Sequence, residues 1–179
     1  MSTEKYAQFY QKLSGPLRRG SGPVILLKVF NLLLTGIMYA AYPLRLILRL
    51  HSVLQSGGDP FRDAVLLKIL LIPAGSFVLL SFIRRRINRP RPYDPLPGGA
   101  GIRPLLVRDR SGCSMPSRHV FSSVIISMAA LLLDFRAGAL LLTLSACSAL
   151  VRVLGGIHYP SDVAAGYLAG VACGLLLFV

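Results

Sequence analysis

The sequence has few acidic residues, few cysteines and no repetitive tract. Seven Asp and Glu residues stand against 20 Lys and Arg. The cysteines, Cys113, Cys147 and Cys173, are odd in number and widely spaced, so they indicate neither a disulfide framework nor a thiolate metal site. The absence of low-complexity segments, Gly-X-Y repeats and charged heptads excludes the disordered, collagen-like and coiled-coil classes.

The residues that are present are mostly apolar. Of the 179 residues, 54% are hydrophobic and 15% are charged, and the mean hydropathy is +0.62. The polar residues are too few to cover a soluble globule, so we predict an all-α polytopic membrane helix bundle. The formal net charge of +13 predicts anionic partners, namely lipid head groups, phosphates or nucleic acid.

Residues 1–22 are expected to form an interfacial amphipathic segment ahead of a single membrane domain, residues 23–179. Tyr6, Phe9, Tyr10 and Leu13 recur at helical spacing, with basic residues around them. This pattern predicts a short helix that lies in the lipid interface. A frayed tail is the alternative.

The apolar runs predict five or six membrane spans. Residues 23–55 exceed one span of about 30 Å, so they hold either two spans that break near Tyr42-Pro43 or one span and an interfacial helix. Residues 64–83 form a clean span, and three further runs cover 119–133, 137–154 and 163–179. In the last run, Gly166, Gly170 and Gly174 form a stripe that allows another helix to approach closely.

Residues 84–118 differ from their surroundings and predict an active-site loop between spans. They contain nine of the 20 basic residues and several prolines. Arg84 and Arg91 stand seven residues apart where the third apolar run ends. A basic cluster that reaches lipid head groups is the alternative. The prolines stiffen the backbone, however, and a planar guanidinium group binds two phosphate oxygens at once.

Ser117, Arg118 and His119 stand where the next apolar run begins. The N-terminus of a helix presents free N–H groups and a positive dipole end to an anion. Ser117 adds a hydroxyl group, and His119 is placed to donate a proton to a leaving oxygen. A single histidine at the edge of a span is, taken alone, more often an interfacial or packing residue.

Arg152, His158 and Asp162 lie between the last two runs. A helix that begins near Tyr159-Pro160 would bring the Asp162 carboxylate to one imidazole nitrogen of His158 and leave the other as a nucleophile. Arg152 stands at the edge of an apolar run, where an unpartnered charge is costly, so it is a further functional candidate. A salt bridge between Arg152 and Asp162 that merely joins two helices is the alternative.

Because consecutive spans run in opposite directions, these three groups are expected at one end of the bundle. The predicted site residues are Arg84, Arg91, Ser117, Arg118, His119, Arg152, His158 and Asp162. A two-metal phosphate site needs several carboxylates, and this end offers little beyond Asp94, Asp109 and Asp162. Metal-assisted phosphate chemistry is therefore disfavoured.

The three groups resemble the signature of the type 2 phosphatidic acid phosphatases, which consists of Lys-x6-Arg-Pro, Pro-Ser-Gly-His and Ser-Arg-x5-His-x3-Asp. The blocks here are Arg84-x6-Arg91-Pro92, Pro116-Ser117-Arg118-His119 and Val151-Arg152-x5-His158-x3-Asp162. Their order and spacing agree over residues 84–162. Arg84 replaces lysine, Arg118 replaces glycine and Val151 replaces serine, and the cation at Arg118 could alter the preference for a head group.

The resemblance implies a lipid phosphatase of six spans, with two of them in residues 23–55, that needs no metal ion and no organic cofactor. His158 would attack phosphorus and form a phosphohistidine, Asp162 would orient it, and His119 would protonate the leaving group. The phosphate oxygens would be held by Arg84, Arg91, Ser117, the backbone N–H of Arg118 and Arg152. Water would then cleave the intermediate.

Other functions stay open at this point: a lipid phosphotransferase, a non-catalytic protein that binds anionic lipid, and nucleic-acid binding, for which no recognition motif is present. The candidate substrates are undecaprenyl pyrophosphate, phosphatidylglycerophosphate and phosphatidic acid. The positive-inside rule favours a cytoplasmic position for the basic loop. The family usually works at the outer face, and six spans would leave residues 1–22 in the cytoplasm. We therefore expect a bacterial cell-membrane protein whose active site faces the extracytoplasmic side.

Overall fold

The computed structural model describes residues 3–95, 99–106 and 111–179. In these ranges the chain forms α-helices, two short 3-10 helices and no strand. The α-helices are α1 (Thr3–Ser14), α2 (Ser21–Gln55), α3 (Ala64–Ile87), α4 (Arg118–Leu133), α5 (Phe135–Leu154) and α6 (Pro160–Leu175). The 3-10 helices cover Pro16–Arg18 and Leu176–Phe178. The predicted all-α class is confirmed.

The helices form a membrane bundle around α4. Within the described residues, α2, α3, α5 and the segment Pro160–Phe178 are each long and apolar enough to cross a membrane. The shorter α4 is also apolar and lies at the centre, with Val120, Phe121 and Val124 fully buried. The outer helices expose many large apolar side chains, which only a lipid environment accommodates. The chain is therefore an integral membrane protein.

The break near Tyr42-Pro43, which the sequence left open and the family resemblance favoured, is absent. Helix α2 continues through Pro43 for 35 residues, which corresponds to about 52 Å. Proline removes one backbone hydrogen bond, and membrane helices tolerate this where neighbouring groups compensate. A continuous helix crosses a bilayer once, so residues 23–55 match the one-span alternative. The far end of α2 forms ion pairs of Arg45 with Asp134 and of Arg49 with Asp63.

Helix α1 packs against the end of the bundle where α3 and α5 end. Tyr6 and Tyr10 are each 1% exposed. The ring centroids of Tyr6 and Tyr159 lie 4.5 Å apart, and Tyr10 Oη donates to the Leu154 carbonyl at 3.2 Å. The predicted interfacial helix was expected to turn four residues toward lipid. Two of them, Tyr6 and Tyr10, are instead covered by protein. Because α2 spans once, residues 1–22 lie at the same end as residues 84–118, whereas the six-span expectation placed them at opposite ends.

The loop after α3 begins later than the predicted residue 84. Asn88 adopts the left-handed conformation at φ 39°, and its N–H donates to the Arg84 carbonyl at 2.9 Å. The Arg89-Pro90 pair that follows disfavours further helix. Arg84 therefore stands on the last turn of α3, and the helix ends at Ile87. Asp109, which was considered as a carboxylate of this end, lies outside the described residues.

The predicted glycine stripe of α6 faces α4. A Cβ atom at Gly166 would come within 2.6 Å of the Ser117 carbonyl oxygen. At Gly170 it would lie 2.8 Å from Val124 Cβ, and at Gly174 it would lie 2.5 Å from Met128 Cγ. The stripe therefore allows the closest approach of α6 to α4 and sets the distance between the second and third sequence blocks.

A single residue, Asp134, joins α4 to α5. Its N–H donates to the Ala130 carbonyl at 2.8 Å, and its Oδ1 accepts from the N–H groups of Arg136 at 3.0 Å and Ala137 at 3.2 Å. Asp134 therefore ends α4 and caps α5, which forces the two helices to run antiparallel. The ends of α4 and α5 that are distant from Asp134 therefore lie side by side, and they carry two predicted site residues, His119 on α4 and Arg152 on α5.

Candidate active site

His158 lies in the short connection between α5 and α6, where two side chains hold its imidazole ring. Its Nδ1 lies 3.5 Å from Asp162 Oδ2 and 3.3 Å from Ser114 Oγ. Asp162 is fully buried, and Ser114 Oγ donates to the same carboxylate at 2.5 Å. Because Nδ1 is engaged, Nε2 is the ring nitrogen that stays available for other partners.

The start of α6 places Asp162. Pro160 is in the first turn of the helix, and the Tyr159 N–H donates to Asp162 Oδ2 at 3.0 Å, so the carboxylate caps the helix that carries it. Arg89 Nη1 donates to Asp162 Oδ1 at 2.8 Å, and the Arg89 guanidinium lies 4.3 Å from the centroid of the Tyr159 ring. Asp162 thus forms an ion pair with Arg89, a residue outside the predicted set.

Burial governs the charge of His158. The residue is 4% exposed. Burial lowers the pKa of His158 to about 4; the hydrogen bond to Asp162 opposes this effect, and the nearby Arg91 charge reinforces it. The imidazole is therefore neutral near pH 7 and keeps the lone pair that a nucleophile needs.

Ser117 connects the second and third blocks at the start of α4. Its N–H donates to the Asp162 carbonyl at 2.8 Å. In the described part of the chain, its buried Oγ has no hydrogen-bond partner. A buried hydroxyl without a partner is costly. An anion bound at the N-terminus of α4 would satisfy this hydroxyl and would lie at the positive end of the helix dipole.

His119 and Arg152 meet at one hydroxyl group on α2. His119 Nε2 lies 3.3 Å from Thr35 Oγ1, and Arg152 Nη2 donates to the same oxygen at 3.5 Å. Arg152 is 1% exposed, and its carbonyl accepts from the Ile157 N–H at 3.2 Å. Thr35 therefore links the predicted general acid on α4 to a predicted phosphate-binding arginine on α5.

The two arginines of the first block have different surroundings. Arg91 is 4% exposed, its Nε donates to the Gly112 carbonyl at 3.0 Å, and its Nη1 has no partner among the described residues. In contrast, both terminal nitrogens of Arg84 donate to loop carbonyls, Nη1 to Pro116 and Nη2 to Cys113. Arg91 can therefore offer a donor to an anion, whereas Arg84 ties α3 to the loop before α4.

A cavity of about 1140 Å³ lies between α2, α3, α4 and the loop. Five of the eight predicted site residues line it: Arg84, Arg91, Arg118, His119 and His158. The other three are buried beside them: Ser117, Arg152 and Asp162. Apolar side chains of the spanning helices, Met38, Phe77 and Ile126, line the same cavity. We call the end of the bundle that carries the predicted site residues the site end. The cavity therefore extends from the site end into the part of the bundle that spans the membrane.

The side chains around this cavity suit an anion. Guanidinium groups donate hydrogen bonds and have no acceptor for a metal ion. In residues 3–95, 99–106 and 111–179, no group of three or more His, Cys, Asp or Glu side chains is placed to hold a metal ion. The arrangement can bind a phosphate group and present a neutral imidazole to it.

Sequence reasoning missed four residues that hold the site together: Thr35, Arg89, Asp94 and Ser114. Asp94 Oδ2 accepts from the backbone N–H of Arg91 at 2.7 Å and of Gly112 at 2.8 Å, which fixes the loop. Arg89 and Ser114 lie within residues 84–118, which the sequence had already singled out as an active-site loop. Thr35 carries a weaker signal, because it is one hydroxyl in a long apolar run.

Known proteins share this arrangement of helices and blocks. The family model for the PAP2 superfamily matches residues 65–179. The chain belongs to the PAP2 superfamily. The matched range contains all three sequence blocks, so the resemblance noted above is confirmed. Helix α1 and Thr35 precede the matched range of this PAP2 chain.

Two curated relatives align with parts of the chain. Decaprenylphosphoryl-5-phosphoribose phosphatase of Mycobacterium tuberculosis is 36% identical over 112 residues, which cover 60% of this chain and 58% of that protein. Bacitracin transport permease protein BcrC of Bacillus licheniformis is 38% identical over 65 residues, which cover 36% of this chain and 32% of that protein. The PAP2 chain thus spans little more than half the length of the first relative.

Two solved structures share the fold over nearly the whole chain. LpxE of Aquifex aeolicus is 22% identical with a TM-score of 0.67, and the match covers 99% of both chains. A PAP2-type phosphatidylglycerolphosphate phosphatase of Bacillus subtilis is 20% identical with a TM-score of 0.52, and the match covers 99% of this chain and 94% of that one. At this identity, the similarity establishes the fold of the PAP2 chain alone.

Proposed function

We propose that this PAP2 protein hydrolyses a phosphate group from a membrane lipid, without a metal ion, through a phosphohistidine on His158. The observation that carries the proposal is the buried pair of His158 and Asp162 at a cavity lined by arginines. Membership of the family and the phosphatase names of relatives support the same class of reaction.

In the first step, Nε2 of the neutral His158 forms a bond to phosphorus as the bond between phosphorus and the leaving oxygen breaks. Asp162, 3.5 Å from Nδ1, stabilises the positive charge that develops on the ring. His119 donates a proton to the leaving oxygen. The products of this step are the phosphohistidine and the lipid without that phosphate.

In the second step, a water molecule attacks the phosphorus of the phosphohistidine and the bond from phosphorus to Nε2 breaks. His119, which has lost its proton, accepts one from the attacking water. Inorganic phosphate leaves, and His158 returns to its neutral form. Both histidines end as they began, so the net reaction consumes one water molecule for each phosphate released.

The other phosphate oxygens need hydrogen-bond donors that are already in place. Arg91 Nη1 and Ser117 Oγ are buried and have no partner in the described part of the chain. The first N–H groups of α4 and the guanidinium of Arg152 are the further donors in this proposal. Donors fixed in a dry site stabilise the transition state more than mobile water does.

The apolar part of the cavity favours a lipid substrate over a soluble phosphate ester. Met38, Phe77 and Ile126 line it beside the arginines, so an acyl or prenyl chain can follow α2 and α3 from the bilayer. The candidates are undecaprenyl pyrophosphate, phosphatidylglycerophosphate and phosphatidic acid. The name of the Mycobacterium tuberculosis relative adds a decaprenyl-linked phosphoribose to these candidates.

Release of inorganic phosphate from these lipids tests the proposal. Purified protein in detergent is assayed with excess chelator as wild type, as His158→Gln and as the matched control His51→Gln. His51 is the third histidine of the chain and is exposed on α2 at the other end of the bundle. We expect equal release by wild type and His51→Gln, and release at least about a thousandfold lower from His158→Gln.

Each other outcome points to a different function or mechanism. Release that needs a metal ion or survives His158→Gln contradicts the mechanism. Transfer of labelled phosphate to an added alcohol instead of water supports the phosphotransferase. A folded wild-type protein that releases no phosphate from any of the lipids supports non-catalytic binding of anionic lipid.

We further propose that the site end faces the cytoplasm. The expectation of an extracytoplasmic site relied on a six-span bundle, which puts residues 1–22 and the site at opposite ends, but Tyr6 of α1 contacts Tyr159. Apart from the four arginines of the predicted site, nine basic residues of the described ranges belong to this end by their position in the helices and loops, and five belong to the other end. The positive-inside rule therefore favours a cytoplasmic site.

A further inference from the structure

Arg118 is the residue at which this chain departs most from its family's sequence blocks, and its side chain turns toward the membrane. Its guanidinium carbon lies 5.4 Å from the centroid of the Phe77 ring on α3. Phe77 precedes Arg84 by seven residues, so it stands about 10 Å farther along α3 from the loop. Arg84 binds carbonyls of that loop. The charge of Arg118 therefore lies on the bilayer side of Arg84.

Among the described residues, the side chains that line the cavity with Arg118 include cations and no carboxylates. The described lining residues include four arginines, Arg84, Arg85, Arg91 and Arg118, and no Asp or Glu. Charged groups at membrane depth are costly unless they meet a partner or a wet cavity. Stacking on Phe77 compensates only part of that cost, because a cation–π contact leaves the guanidinium N–H groups free to bind an anion.

The cavity therefore offers two places for an anion. One is next to His158, where Arg91 Nη1 and Ser117 Oγ have no partner among the described residues. The other is at Arg118, whose guanidinium lies beside Phe77; Phe77 is one of the apolar side chains that line the cavity. A lipid that enters from the bilayer would place its terminal phosphate at the first position and a group nearer its tail at the second.

We propose that Arg118 determines specificity by binding a second phosphate, located between the phosphate that is cleaved and the lipid tail. The preferred substrates are then lipids that carry two phosphates in series, such as a phosphodiester followed by a terminal phosphomonoester. Lipids with a single phosphate lack the group that Arg118 binds. This inference rests on the proposed function, because it extends the same cavity and the same reaction.

The experiment compares two lipids with identical acyl chains, phosphatidylglycerophosphate and phosphatidic acid, in detergent mixed micelles. The variants are Arg118→Gln, which removes the charge, and Arg118→Lys, which keeps it. Arg86→Gln is the matched control, because the Arg86 guanidinium carbon lies 5.0 Å from the Phe82 ring centroid and Arg86 does not line the cavity. Size-exclusion elution and thermal unfolding establish that each variant is folded.

We expect Arg118→Gln to lower kcat/KM at least tenfold for the two-phosphate lipid. For phosphatidic acid, the same variant should lower kcat/KM less than threefold. Arg118→Lys should retain most of the preference for the two-phosphate lipid, and Arg86→Gln should match wild type on both lipids. Equal losses on the two lipids, or no loss on either, overturn the role of Arg118.

A binding measurement separates this inference from the proposed function. In a His158→Gln background, which cannot form the phosphohistidine, equilibrium binding of both lipids is measured with Arg118 intact and with Arg118→Gln added. We expect the added Arg118→Gln to weaken binding of the two-phosphate lipid at least tenfold more than binding of phosphatidic acid. If wild type hydrolyses neither lipid, the proposed function fails. The loss of affinity for the two-phosphate lipid, compared with that for phosphatidic acid, then supports or overturns the second phosphate site by itself.

Discussion

Thr35 Oγ1 on α2 lies 3.3 Å from His119 Nε2 on α4 and 3.5 Å from Arg152 Nη2 on α5. One hydroxyl group thus stands between the residue proposed to protonate the leaving oxygen and a residue proposed to bind the phosphate. Because it can donate and accept, it can set the orientation of the imidazole while the arginine approaches from the other side.

Replacement of Thr35 by Val should lower kcat by up to about tenfold, because the net contribution of one hydrogen bond is about 0.5–1.5 kcal/mol and about 1.4 kcal/mol corresponds to a factor of ten in rate. Thr35→Ser keeps the hydroxyl and should recover most of the activity. The measurement is kcat and KM for phosphate release. Thr143→Val is the control, because Thr143 Oγ1 bonds only within α5, to the Ala139 carbonyl at 3.0 Å. Wild-type kcat in Thr35→Val would show that the hydroxyl does not position His119.

Replacement of Arg89 by Met should lower kcat by roughly tenfold to a hundredfold. The 2.8 Å bond from Arg89 Nη1 to the buried Asp162 is charge-assisted, and its loss leaves a carboxylate oxygen without that partner. The same change should lower the Tm in detergent, and Arg89→Lys should recover part of both quantities. An unchanged Tm together with unchanged kcat would mean that Asp162 is fixed without Arg89.

The imidazole of His158 should stay neutral from pH 7.5 down to about pH 5. Its pKa is lowered by burial to about 4, so protonation, which removes the nucleophilic lone pair, occurs only as the pH falls through that value. The measurement is an NMR titration of histidine-labelled protein, which has three histidine ring signals. The signal that disappears in His158→Gln belongs to His158. A midpoint near 6.5 for that signal would contradict the burial of the ring.

Replacement of Gly138 by Ala should destabilise the bundle strongly. A Cβ atom there would lie 2.2 Å from Leu131 Cα, which is backbone and cannot move aside. The measurement is thermal unfolding in detergent. Gly75→Ala on α3 is the control, because a Cβ atom at Gly75 meets nothing within 4 Å, and alanine favours a helix over glycine by about 1 kcal/mol. Equal Tm values for the two variants would contradict the close crossing of α4 and α5.

The orientation of the site end can be measured with single cysteines in a cysteine-free background. Arg62→Cys reports on the loop between α2 and α3, where the Arg62 side chain is 89% exposed, and Arg19→Cys reports on the site end. With a cytoplasmic site, an impermeant maleimide should label the Arg62→Cys variant in intact cells and the Arg19→Cys variant only after lysis. The reverse pattern would place the site outside the cytoplasm.

The sequence predicted which residues meet at the site, because helices that reverse direction must bring Arg91, His119 and His158 to one end. It also predicted the contact of Asp162 with His158, since Tyr159-Pro160 starts α6. These inferences need only local patterns and the antiparallel order of spans. Whether these residues carry out the proposed chemistry stays a prediction.

Other features depend on contacts between distant parts of the chain, which no local pattern encodes. Pro43 is a breaker by type, but the bundle keeps α2 continuous through it. The aromatic stripe of α1 is equally suited to lipid and to protein, and the neighbouring Tyr159 decides the position of Tyr6. Likewise, the carbonyls of Cys113 and Pro116 that hold Arg84 become visible only when the loop is folded.

The one-residue link at Asp134 has a consequence for the order of assembly. Because α4 and α5 are adjacent in sequence and closed by the shortest possible connection, pairing them costs little chain entropy. We therefore expect this hairpin to form before its partners dock. His119 and Arg152 would then already be neighbours at the end of this hairpin. Helix α2, which carries Thr35, and helix α6, which carries Asp162, would not yet be packed against it. On this view the site is completed only when both outer helices have docked.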